Sequence, residues 1–234
     1  MNNAYGNPYV VAADASQVDR SRFLRRTYMH LAGAILAFVA IEAVLLNSPL
    51  KPLMFQWLGA SQYSWLIVLG LFMGASWLAQ SWANSATSKA MQYAGLGLYV
   101  VAEAVIFLPI LAIAISFSDR TVIPTAAMLT LGLFFGLTAV VVITKKDFSF
   151  LRGILTIGGF VAMGVIVASI IFGFTLGVVF AAVMVAFAGA AILYHTSNIF
   201  YRYSTDQYVA ASLALFASVA LLFFYILRIL MDRR

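Results

Sequence analysis

The chain has 234 residues, 64% hydrophobic and 9% charged, with a mean hydropathy of +0.99, a formal charge of +6 and a pI near 9.7. Ordinary soluble chains carry about 25% charged residues, so a water-soluble globular fold is excluded; uncharged runs of about 20 residues require an integral membrane protein built of helices. The basic residues flank the apolar runs, so the positive charge reads as membrane-surface anchoring and not as a nucleic-acid interface.

In chain order, residues 1–22 read as a polar, mobile tail and residues 23–234 as one membrane domain. The tail has no basic-then-apolar signal-peptide pattern, so the first membrane helix is expected to serve as its own insertion signal. The first span, Phe23 to Leu46, is entered through Arg20, Arg22, Arg25 and Arg26 and ends at Asn47-Ser48-Pro49. Lys51 to Ser61 reads as a short connector with interfacial Phe55 and Trp57. The second span is Gln62 to Trp82, with Gly70 and Gly74 at close-packing spacing and Trp77 and Trp82 in an aromatic belt. Ala90 to Phe117 is the third span, interrupted in character by Pro109.

Val122 to Thr144 is the fourth span, with Gly132 and Gly136 as a second close-packing pair. The polar loop Lys145-Lys146-Asp147-Phe148-Ser149 follows, and Asp147 or Ser149 is placed to cap the next helix. Gly153 to Tyr194 contains no charged residue. It is too long for one span and suits two, as an antiparallel hairpin turning near Phe172-Gly173-Phe174. His195 to Gln207 is polar, and the seventh span is Tyr208 to Leu230. Its first half carries Ala210, Ala211, Ser212, Ala214, Ala217, Ser218 and Ala220, small on nearly every face. Small residues let helices approach closely in lipid, so this segment is expected to be the buried post of the bundle. Nine basic residues fall on the side of the N-terminus and five on the other, which favours an inside N-terminus and an outside C-terminus.

Only Glu42 and Glu103 are acids within apolar runs. A carboxylate at membrane depth is costly, and usually faces the bundle interior or a wet cavity. Glu103 lies near the middle of the third span, and Pro109 frees a backbone carbonyl near Val105; together they suggest an oxygen-lined cation site. If the first and third spans adjoin at similar depth, Glu42 stands about 10 Å outward of Glu103, a second station on one route. His30 reads as an interfacial hydrogen-bonder, and His195 ends the sixth span as a boundary residue able to titrate near neutrality. There are no cysteines, which removes disulfides, thiolate metal sites and a cysteine nucleophile. Two distant histidines, with no HExxH, GxSxG or phosphate-binding loop, give no catalytic set, and no metal cluster or cofactor site is expected.

Three stretches resemble the Bax inhibitor family in its bacterial branch. Thr144 to Leu151, with Lys145, Lys146 and Asp147, looks like the family loop after helix four. Ile192 to Ile199 looks like the end of helix six, and Leu213 to Arg228 like helix seven; Pro109 falls where many members have proline. The resemblance covers Phe23 to Leu230. It implies an all-α membrane fold of seven transmembrane helices, six surrounding a central C-terminal one, in the cell membrane. It also implies a pH-sensitive calcium leak, controlled by two hydrogen-bonded aspartates.

By the same resemblance those aspartates fall at His195 and Ser218, and neither is acidic. The charged residues of the family's second helix also lack counterparts here. Two aspartates sharing a proton titrate as a pair with split values, which His195 and Ser218 cannot do. They are expected to form one neutral hydrogen bond, which protonation of His195 would break or redirect while adding positive charge to the route. The leading expectation is a passive cation leak, for calcium, with altered or lost proton gating. The alternative is a non-conducting protein that binds other membrane proteins or a membrane protease through its N-terminal tail. A secondary transporter ranks below both, since no inverted repeat is visible.

Overall fold

The computed structural model describes residues 10–61, 63–85 and 88–232. The first part of the expected tail, Gln62 at the expected start of the second span, and Arg233 and Arg234 lie outside the described residues. Eight helices occur among the described residues. They are α1 (Gln17–Leu46), α2 (Leu50–Ala60), α3 (Ser64–Ala83), α4 (Lys89–Phe117), α5 (Val122–Thr144), α6 (Leu151–Phe172), α7 (Val178–Tyr201) and α8 (Tyr208–Asp232). Seven of them, all but α2, are long and apolar enough to cross a membrane.

Three boundaries differ from the sequence reading. First, α1 starts before the expected span, because Ser16 Oγ accepts the Asp19 N–H at 3.1 Å as an N-cap and Asp19 sits in the positive first turn. Arg20 and Arg22 are therefore helical. Second, the expected connector after α1 is the helix α2. At 11 residues it is about 16 Å long, too short to cross, and it buries only Leu58. Third, α7 continues past His195 to Tyr201. Thr196, Ser197 and Asn198 looked like loop residues but are buried, so packing overrides their polarity. His195 is thus inside a helix rather than at its end. The expected cap of α6 is also absent: its first turn has no side-chain cap, and Asp147 Oδ1 accepts the N–H of Ser149 instead.

Both sharp turns have a left-handed residue. Gly173, with φ 71°, ends α6 at the expected turn, a conformation that glycine adopts without Cβ strain. Lys145, with φ 52°, ends α5 without that freedom, and the Tyr201 hydroxyl donates to its carbonyl at 2.7 Å.

α8 packs against α1, α3, α4, α5 and α7; of its small residues, Ala210, Ala211, Ser212, Ser218 and Ala220 are buried and Ala214 and Ala217 half-buried. α4 is the other deeply buried helix, whereas α6 packs mainly on α7 and buries only Ala162. Large apolar side chains such as Leu36, Trp77, Phe117, Phe160 and Val179 point outward, as a lipid-facing surface requires.

Close helix approach occurs at a glycine the sequence did not single out. A Cβ on Gly95 would lie 2.5 Å from the Ala79 carbonyl oxygen and 2.6 Å from the Ala83 nitrogen, so α3 and α4 touch backbone to backbone there. The glycine pairs expected to do this, Gly70 with Gly74 and Gly132 with Gly136, face open space. Their spacing is right, but they lie on the outer sides of α3 and α5.

Candidate functional site

Glu103 stands on the buried face of α4 between Tyr99 and Phe107, each one turn away. Phe107 is held edge-on by Phe38 of α1 and Phe224 of α8 and is stacked on Phe223, while Tyr99 meets Phe216 of α8 and Phe72 of α3. Glu103 is 6% exposed, inside the aromatic contacts of α1, α3, α4 and α8. Tyr99, one turn earlier, is its buried polar neighbour on the same helix face. Pro109 is buried within a helix that continues unbroken to Phe117.

Glu42 is 4% exposed on α1, and neither carboxylate oxygen has a hydrogen-bond partner among the described residues. α1 and α4 run side by side in the same direction. The contacts of His30 with Tyr93 and of Phe38 with Phe107 set their register, which puts Glu42 roughly one to two turns beyond Glu103 along the bundle. Both acids are therefore interior. Among the described residues no three His, Asp or Glu side chains converge as a metal cage would need.

His195 and Ser218, expected from the resemblance to stand where relatives carry aspartates, are not joined. Ser218 Oγ donates to the Ala214 carbonyl of its own helix at 2.9 Å, a local back-bond that uses its only proton. His195 lines a wedge between α6 and α7 with its ring against Tyr194, and its Nδ1 has no partner. The expected His195–Ser218 hydrogen bond does not form: the serine proton goes to the carbonyl one turn earlier, and His195 Nδ1 has no partner.

The loop carrying Lys145, Lys146 and Asp147 is instead stapled to the end of α7. Asp147 accepts the Ser149 N–H at 2.9 Å, the Ser149 hydroxyl at 3.1 Å and the Ser197 hydroxyl at 3.2 Å, and pairs with Arg202 at 3.4 Å. Ser197 Oγ in turn accepts the Phe148 N–H at 2.9 Å. The Ser149 N–H, more than any other contact, holds the Asp147 carboxyl below the usual aspartate range.

A second cluster ties α1, α4 and α8 together at the same end. Lys89 pairs with Asp206 at 2.6 Å and lies over the Tyr208 ring, which also carries Arg26. His30 takes the Arg26 carbonyl at 2.7 Å and meets the Tyr93 hydroxyl at 3.1 Å, which meets the Tyr208 hydroxyl at 3.3 Å. The α7–α8 turn is covered by the segment before α1: the Ala12 N–H donates to the Tyr203 carbonyl and the Thr205 N–H to the Val10 carbonyl. Burial there pushes the Tyr203 hydroxyl up to about 12. Ser197, Arg202, Lys89, Asp206, Tyr93 and Tyr208 were not singled out in the sequence. Lys89 and Asp206 stand 117 positions apart, and their only signal was that both sit in polar loops on one side of the membrane.

Residues 20–234 match the family described as inhibitor of apoptosis-promoting Bax1. The chain is 32% identical over 218 residues to the Escherichia coli modulator of FtsH protease YccA, covering 92% of each chain. It is 29% identical over 225 residues to Bax inhibitor 1 of Schizosaccharomyces pombe, covering 93% of this chain and 79% of that one. A Golgi anti-apoptotic protein of vaccinia virus is 31% identical over 125 residues, about half of each chain. A further relative, from another Escherichia coli strain, is named an inner membrane protein. With its seven apolar helices, this chain is an integral multi-pass protein of the inner membrane. From the match over nearly all of its length, the chain belongs to the Bax inhibitor family.

Proposed function

We propose that the protein is a passive cation leak, for calcium, whose route passes Glu103 and Glu42 and whose proton gating is lost. The observation that carries this is Glu42: a buried carboxylate with neither oxygen hydrogen-bonded is expensive to keep, and a passing cation gives it a partner. Two carboxylates at different depths suit transit better than storage, since a tight calcium site gathers six to eight oxygens around one ion. Loss of gating is supported by Ser218, which is closed on its own helix, and by His195, which faces the α6–α7 wedge. Calcium entry into liposomes containing the purified protein tests the reading. Wild type is expected to leak and Glu103→Gln to leak several-fold less at equal incorporation; equal leaks would remove Glu103 from the route.

A second reading is favoured by one relative, whose name describes a modulator of a membrane protease. In that reading the protein does not conduct, and the residues before α1 are the handle for a membrane-protein partner. No flux from well-folded protein, together with loss of partner co-purification on deleting residues 1–16, would select it.

A further inference from the structure

α6 packs mainly on α7 and buries only Ala162, and the space between these two helices at one end has its own chemistry. α6 and α7 touch where Phe187 packs over Gly158; a Cβ there would lie 3.0 Å from the phenylalanine ring. From that contact toward the polar-loop end the two helices border a wedge of about 310 Å³. Leu155, Phe187 and Ala191 line it with Thr156, whose hydroxyl is turned back onto the Arg152 carbonyl at 2.8 Å, and nearer the helix ends stand Arg152, Tyr194 and His195. No carboxylate lines it. The nearby acid in sequence, Asp147, is already paired with Arg202.

Two independent features of the mouth ask for an anion. Arg152 is the second residue of α6, so its guanidinium stands at the positive end of a helix that has no side-chain cap, and it makes no ion pair among the described residues. His195 Nδ1 is buried and without a partner, although it is a ring nitrogen that can donate to an oxygen. The wedge therefore lies between an unpaired guanidinium and the His195 ring at the height where a span begins, with an apolar slot further along the helices. That order, anion above and hydrocarbon beneath, is the build of a phospholipid at the interface; basic pockets between membrane helices hold such headgroups. A free phosphate would use the mouth but leave the slot empty.

We propose that this wedge seats one anionic phospholipid, with its phosphate on Arg152 and His195 and the top of an acyl chain on Leu155, Phe187 and Ala191. The lipid fills the gap between the outermost helix and the bundle, and so fixes the angle of α6. The site is separate from Glu42 and Glu103 and does not depend on conduction.

Native mass spectrometry of the full-length purified protein, titrated with phosphatidylglycerol and separately with phosphatidylcholine, tests this. One phosphatidylglycerol is expected to bind about tenfold more tightly than phosphatidylcholine, the effect of one charge-assisted contact. Arg152→Gln should abolish that preference, Arg152→Lys should keep part of it, and His195→Ala should weaken it. Lys146→Gln, on the same face but outside the wedge, should leave it intact. Circular dichroism and gel filtration of each variant separate loss of binding from loss of fold. Equal retention of the two lipids by wild type overturns the proposal, as does a preference that survives both Arg152→Gln and His195→Ala. Displacement of the lipid by millimolar inorganic phosphate would also overturn it, because the mouth alone would then account for binding.

Discussion

Glu42 and Glu103 are both buried acids, but they differ in company. Glu103 has Tyr99 beside it, whereas Glu42 has nothing to accept from. An unpartnered buried group costs stability, and sites kept for function are commonly the ones that do so. Glu42→Gln is therefore expected to raise the thermal unfolding midpoint or leave it unchanged while reducing calcium leak. A midpoint lowered by several degrees would mean that Glu42 is structural. Asp147 behaves oppositely. Its carboxyl is held low in the folded protein, so its contribution is complete above the ordinary aspartate value of 3.8 and fades as pH falls below that toward the depressed folded value. Asp147→Asn should lower the midpoint at pH 7, with the gap to wild type closing only below about pH 4; a gap that closes between pH 7 and 5 would contradict this. Glu42 and Glu103 were legible in the sequence because a charge in an apolar run has few explanations. Ser197 was not, since nothing local distinguishes a serine that accepts from Phe148 and donates to Asp147 from one that faces water.

At the scale of elements, the length of the apolar runs placed the seven spans because an apolar helix must be long enough to cross whatever it packs against. It could not say which face of each helix packs. Gly132 and Gly136 have the spacing of a contact and face outward, while Gly95, with no matching partner four residues away, makes the tightest approach of the described glycines. Gly95→Leu must push α3 from α4 and is expected to cost more than about 1–3 kcal/mol, the range for overpacking. Gly132→Leu adds a side chain in open space and should stay within about 0.5 kcal/mol. Thermal unfolding of the two variants in one detergent decides this: equal losses would mean that the α3–α4 approach is not tight. The end of α7 failed for a related reason. Polar letters from Thr196 to Asn198 resemble a loop, yet these side chains are buried within the helix.

For the whole molecule, α8 as a buried post follows from a plain physical argument, that small residues permit close approach from several sides, and the structure packs five helices against it. Family membership was legible from three short stretches, and the match over residues 20–234 agrees. What the sequence could not supply is whether His195 and Ser218 meet, because that depends on where each side chain points. Ser218 closes on Ala214 and His195 borders α6, so in the proposed function the buried carboxylates, and not this pair, would set the leak. Calcium entry into liposomes, compared for wild type, Glu42→Gln, Glu103→Gln, His195→Ala and Ser218→Ala at equal incorporation, tests that directly. The account predicts a leak in wild type that falls in both glutamate variants and is unchanged in the histidine and serine variants. A leak that follows His195 and Ser218 and ignores both glutamates would contradict it.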